Sequence, residues 1–78
     1  MDSQVIELAA AAILNYVQQH PNSADTAEGI HAWWIDWDGR IESPLVTERA
    51  LEYLESQHLM EKISIGNRLL WRRPRQAD

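Results

Sequence analysis

Ser43 to Arg73 reads SPLVTERALEYLESQHLMEKISIGNRLLWRR, and this stretch decides the fold. Its first half has the start signal of a helix. Ser43 is an N-cap type whose oxygen can accept from a first-turn N–H. Pro44 follows at the first helical position, where a missing N–H costs nothing. Val46, Ala50, Tyr53, Leu54 and Gln57 then fall on one face at helical spacing. The second half changes period. Leu59–Ile65 and Arg68–Trp71 are short β-prone runs separated by Gly66-Asn67, a pair that tolerates positive φ and makes the tight connection right-twisted strands prefer. With those two residues as the loop, Ile65 faces Arg68, Ile63 faces Leu70, Lys62 faces Trp71 and Glu61 faces Arg72 in a cross-strand ion pair. His58 stands where helix gives way to strand, and it can adopt the left-handed conformation that ends helices.

Working outward, Asp2 or Ser3 caps a first helix whose apolar stripe is Ile6, Ala9, Ala10, Ile13, Tyr16 and Val17. Pro21 ends it, because the residue before a proline avoids the helical region. Asn22–Asp25 reads as a polar turn. Asp25 or Thr26 then caps a second helix, with Glu28 in the first turn where the dipole favours a carboxylate. Ala27, Ile30, Trp33 and Trp34 are its apolar positions. Gly29 weakens that helix by ~1 kcal/mol relative to alanine, so it is expected where another helix approaches closely. Asp36-Trp37-Asp38-Gly39 has turn chemistry, and Arg40-Ile41-Glu42 leaves room for a short strand near 40–42. The core expected from these patterns is Ile6, Ile13, Val17, Ile30, Ala50, Leu54, Leu59 and Trp71.

The string SPLVTERALEYLESQHLMEKI, then Gly-Asn, then RLLWRR, resembles the recognition helix and wing of the winged helix-turn-helix family, and TAEGIHAWWI resembles that family's second helix. The resemblance spans residues 4–73. It implies a mainly α chain with a C-terminal β-hairpin, organised as a three-helix winged helix-turn-helix domain over 1–73 with 74–78 as a disordered tail. Two departures stand out: His58 replaces a common glycine, and the 35–42 connection is longer than the family's usual joint. By the same resemblance the chain is expected to be a small DNA-binding protein and transcriptional regulator. The helix at 43–57 would enter the major groove and the wing at 59–73 would touch phosphate or the minor groove. Its contacts would fall on Arg40, Pro44, Thr47, Glu48 and Arg49, with Lys62, Asn67 and Arg68 on the wing. The resemblance leaves a homodimer open.

Charge pulls the other way. The net charge is −5 over 78 residues, and the cations are unevenly spread. Residues 1–61 hold two arginines against eleven carboxylates, whereas residues 62–78 hold five cations against one. A nucleic-acid binder normally shows a basic footprint, and here only the wing end has one. Binding to double-stranded DNA is therefore expected to be weak and salt-sensitive. The absence of cysteine removes disulfides, thiolate catalysis and cysteine-based zinc sites. There is no signal-peptide pattern and no apolar run approaching ~20 residues, so no membrane contact is expected and the cytoplasm is the default compartment.

No constellation points to catalysis. His20, His31 and His58 lie in three different elements, and Asp36-x-Asp38-Gly39 fails as a calcium loop because Arg40 and Thr47 stand where ligands belong. No serine has a nucleophile-elbow context and no glycine-rich phosphate loop exists. The chain is expected to be a non-enzyme with no cofactor and no metal. The remaining feature is tryptophan. Trp33, Trp34 and Trp37 lie within five positions, and neighbours on a helix point ~100° apart, so Trp33 and Trp34 cannot share one core. This supports an alternative function: an acidic interaction module whose face of Trp33, Trp34, Asp36, Trp37 and Asp38 takes a basic protein partner through apolar area, cation–π contact and charge. In that alternative Trp37, placed in the turn, is the tryptophan expected to be furthest from the core.

Overall fold

A computed structural model of the chain describes residues 3–37 and 43–74. It contains three helices and a three-stranded antiparallel sheet. In chain order these are α1 (Ser3–Gln19), β1 (Ala24–Asp25), α2 (Ala27–Gly29, continuing as a wider π-helical turn over Ile30–Trp34), α3 (Pro44–Ser56), β2 (Glu61–Ile65) and β3 (Arg68–Arg72). The strand order is β1-β3-β2. Residues 1–2, 38–42 and 75–78 lie outside the described residues, and with them the expected Asp2 cap, the expected strand near 40–42 and all but Pro74 of the tail expected over 74–78.

The boundaries of α3 follow from its caps. Ser43 Oγ accepts from Val46 N at 3.4 Å, and Pro44 opens the first turn. At the other end His58 takes φ 61, and the chain folds back so that Leu59 N and Met60 N both donate to Leu54 O. That left-handed residue satisfies a terminal carbonyl and turns the chain into the hairpin. In the hairpin, Ile65 pairs with Arg68, Ile63 with Leu70, Lys62 with Trp71 and Glu61 with Arg72. Gly66 alone of the two loop residues has positive φ, at 60, the pattern of a turn with glycine first. Arg72 Nε donates to Glu61 Oε2 at 2.6 Å, so the cross-strand ion pair is formed.

Two elements differ from expectation. Ala24–Asp25, expected as turn, pairs with Arg72 and Trp71 as β1. Neither residue favours strand, so pairing with β3 overrides propensity here. Gly29 is also not a helix–helix contact. A Cβ built there would meet the Asp25 carboxylate at 2.2–2.3 Å, and that carboxylate is held in place because Oδ1 accepts from Thr26 N at 2.8 Å. Thr26 in turn caps α2, its Oγ1 accepting from Gly29 N at 3.1 Å. Gly29→Ala should therefore destabilise the fold by ~1–2 kcal/mol, the helix-propensity gain of ~1 kcal/mol being outweighed by displacement of a hydrogen-bonded side chain. Urea melts of Gly29→Ala alone and in an Asp25→Ala background check this: the same change should turn stabilising once the carboxylate is gone. Equal cost in both backgrounds would assign the glycine to something else.

The buried side chains form one cluster contributed by every helix and the sheet. Ile13, Val17, Ile30, Ala50, Leu54 and Trp71 belong to it as expected. Ile6 is half-buried against its edge. Leu59 is 39 % exposed and Met60, at 1 %, takes the core position instead. The tight return after His58 sets the phase of the following strand one residue later than the apolar run suggests. On α3 the inward face is Val46, Thr47, Ala50, Leu51 and Leu54. Tyr53, expected inside, is half exposed, and Gln57 is exposed.

Candidate functional site

The described residues proposed above for recognition fall on α3, on the hairpin, on the π turn of α2 and, for Asp36 and Trp37, beside α1. Three of them are not available there. Thr47 is buried to 1 %, with Oγ1 2.7 Å from His31 Nδ1, so it joins α2 to α3 and cannot touch a base edge. Trp34 is buried to 6 % and stacks on Tyr16 with ring centroids 4.5 Å apart, so it belongs to the α1–α2 contact and not to a partner face. Trp37 is half-buried and packs against the core; its Nε1 donates to His31 O at 3.0 Å and its ring lies 4.9 Å from the His31 ring. An indole N–H in a partly buried site normally finds such an acceptor, which is why the turn position does not leave Trp37 free. Arg40 and Asp38 lie outside the described residues.

The residues that do reach the surface are unevenly charged. Pro44, Glu48, Arg49 and Glu52 are exposed along α3 and Glu55 is half-buried. Arg49 pairs with Glu52 at 3.7 Å. Lys62 reaches back to Glu55 at 3.8 Å and lies 5.5 Å from the centre of the Trp71 ring. Exposed pairs of this kind contribute little stability, but they place a carboxylate beside two of the cations expected to face phosphate, Arg49 and Lys62. Asn67 and Arg68 are exposed at the hairpin tip and Arg73 is exposed beyond its base. Among the described residues, neither Arg68 nor Arg73 has a salt bridge.

Between α2 and the first turn of α3 is a recess of about 110 Å³ lined by Ala27, Glu28, His31, Pro44 and Glu48. It combines two carboxylates, an imidazole edge and an apolar floor, which suits the head and stem of a cationic side chain. Asp36 is exposed, and Trp33, on the same π turn as His31, is 79 % exposed, the most exposed of the large apolar side chains described. The recess could not be foreseen along the chain, because Glu28, His31 and Glu48 come from two helices that meet only in the fold, with the His31–Thr47 hydrogen bond as one link between them.

Among the described residues no group of three or more His, Asp or Glu side chains could hold a metal ion. No helix among them is long and apolar enough to cross a membrane. The chain matches no protein-family model, no curated protein and no solved structure.

Proposed function

We propose that this chain is a winged-helix protein-interaction module that binds a basic segment of another protein on its α2–α3 face, with Trp33 as the apolar anchor. The order helix, strand, helix, helix, hairpin supports the winged-helix assignment. The observation that carries the function is the recess between α2 and α3, which sets Glu28 and Glu48 around His31; Trp33, on the helix that carries Glu28, is 79 % exposed. Large exposed aromatics concentrate binding energy at interfaces. Three glutamates against one arginine on α3 make that helix a poor match for phosphate and a good one for lysine or arginine. No catalysis, cofactor or metal enters this proposal.

A twelve-residue peptide rich in arginine and lysine, titrated into the protein with tryptophan emission as readout, tests it. Trp33→Ala should weaken binding by about 30-fold while changing the unfolding free energy by no more than ~0.5 kcal/mol. Glu28→Gln with Glu48→Gln should also weaken binding and reduce its salt dependence. Binding unaffected by either change would remove this face from the function.

A second reading, DNA binding through the hairpin, is supported by the exposed guanidinium groups of Arg68 and Arg73. It predicts weak binding of mixed-sequence duplex whose log-affinity falls with log salt at a slope near −2, about one unit per phosphate contact. Arg68→Ala should remove about one unit of that slope.

A further inference from the structure

The outer face of α1 is patterned about its own centre. From Leu8 to Leu14 the helix has seven consecutive apolar residues, too many for one core-facing stripe. Ala9, Ala10 and Ile13 are buried, Ala12 and Leu14 are half-buried at the edge of the core, and Leu8 and Ala11 are exposed. The outward stripe is Gln4, Glu7, Leu8, Ala11, Leu14, Asn15 and Gln18, with Leu14 half-buried and the others exposed. In this order the stripe has the same polarity from either end. Two long polar side chains, a leucine, an alanine, a leucine and two polar side chains follow one another, and Ala11 is the midpoint.

We propose that α1 pairs with α1 of a second copy of this chain, antiparallel, about a two-fold axis passing beside Ala11. An isologous interface requires a surface complementary to itself when reversed, and this stripe meets that requirement. Residues equidistant from Ala11 come level across the axis: Leu8 with Leu14 of the second copy, and Glu7 with its Asn15. Glu7 is the one charged residue of α1, and the antiparallel arrangement keeps the two copies of it apart and sets each beside a neutral amide. Asn15 Oδ1 already accepts from Gln19 Nε2 at 3.2 Å, which leaves its NH₂ group as the donor toward that carboxylate. Ala11 at the crossing has no bulk to hold the helix axes apart.

Apolar grooves on both flanks extend the same surface. One, bounded by Val5, Leu8, Ala12 and Trp37, has a volume of about 110 Å³. The other, bounded by Ala10, Leu14, Tyr53 and Leu59 with Glu7 at its wall, has about 280 Å³. The two-fold brings each groove beside its own counterpart, so the leucines of one copy lie along the grooves of the other. This also accounts for the exposure of Leu8, Tyr53 and Leu59, at 46, 50 and 39 %. One helix pair makes a small interface, so the dimer is a weak one, expected in the range of tens to hundreds of micromolar.

Sedimentation equilibrium of the full chain over a concentration series tests the pairing. Wild type should show a monomer–dimer equilibrium that tightens as salt rises, because two copies of charge −5 repel and salt screens the repulsion. Binding of a basic peptide on the α2–α3 face should weaken over the same salt series, so the two surfaces are distinguished. Ala11→Lys places two ammonium groups at the axis and should raise the dimer Kd at least about tenfold, while its spacing from Glu7 keeps the helix favourable. Asn15→Lys should tighten the dimer by setting a cation beside Glu7 of the second copy, and Asn15→Glu should loosen it; circular-dichroism melts confirm that each variant is folded. A monomer at about 1 mM, or a dimer indifferent to Ala11→Lys and to the sign of the charge at Asn15, would overturn the proposal.

Discussion

Leu51→Ala is expected to lower the unfolding free energy by ~2–5 kcal/mol, while Tyr53→Ala, two residues away on the same helix, should cost well under half as much. Leu51 is fully buried in the cluster that joins α3 to the rest of the core. Removing its side chain leaves a cavity whose walls belong to different elements and cannot all close in. Tyr53 is half exposed and loses mainly surface contact. For a domain of this size the whole stability is about 4–12 kcal/mol, so Leu51→Ala should populate unfolded chain at room temperature. Urea denaturation of the two variants decides the matter through the shift in ΔG at unchanged m. A smaller loss for Leu51→Ala than for Tyr53→Ala would mean that α3 is rotated from the position described.

The contrast shows where the pattern of α3 was ambiguous. Ala50, Leu51, Tyr53 and Leu54 spread over roughly 160° of the helix surface, and two faces fit them: one through Tyr53 and Gln57, the other through Thr47 and Leu51. Spacing alone cannot choose between them. The choice comes from the hydroxyl of Thr47, which fits inside only because His31 Nδ1 lies 2.7 Å away on α2. By contrast, the hairpin register, the Ser43 cap and the left-handed His58 were legible, because each rests on chemistry within a few neighbouring residues. β1 was not. A two-residue strand has no period to detect, and Ala24–Asp25 becomes one because β3 offers it an edge. Gly29 marked a close approach correctly, but the group approaching it is the carboxylate four residues earlier rather than another helix.

The candidate surface was legible in its charge and not in its geometry. Cations placed after residue 61 and carboxylates before it could be counted. That Lys62 folds back onto Trp71 and Glu55 depends on the sheet lying against α3. The two apolar grooves have the same limitation. Trp37 and Tyr53 reach the sides of α1 only because the 35–37 segment and α3 pack there. The polarity symmetry of α1 about Ala11, on the other hand, is written in the chain, and the exposure of the stripe gives it physical meaning.

Trp34→Ala should cost ~3–5 kcal/mol, the range for deleting a buried aromatic, and it separates three tryptophans that composition treats as one cluster. Trp34 is 6 % exposed and stacked on Tyr16 with the rings 20° from parallel, so its loss removes both buried area and the aromatic contact that ties the π turn to α1. Trp37→Phe keeps the ring against the core but leaves His31 O without the indole donor 3.0 Å away; its cost should be smaller, ~1–2 kcal/mol. Trp33→Ala should be close to neutral, because a side chain 79 % exposed contributes little to burial. The same order should appear in acrylamide quenching of single-tryptophan variants, with Trp33 quenched most and Trp34 least. If Trp34 were quenched as readily as Trp33, the π turn would have to be rotated about its axis, and the indole assigned to the interaction surface would be the wrong one of the pair.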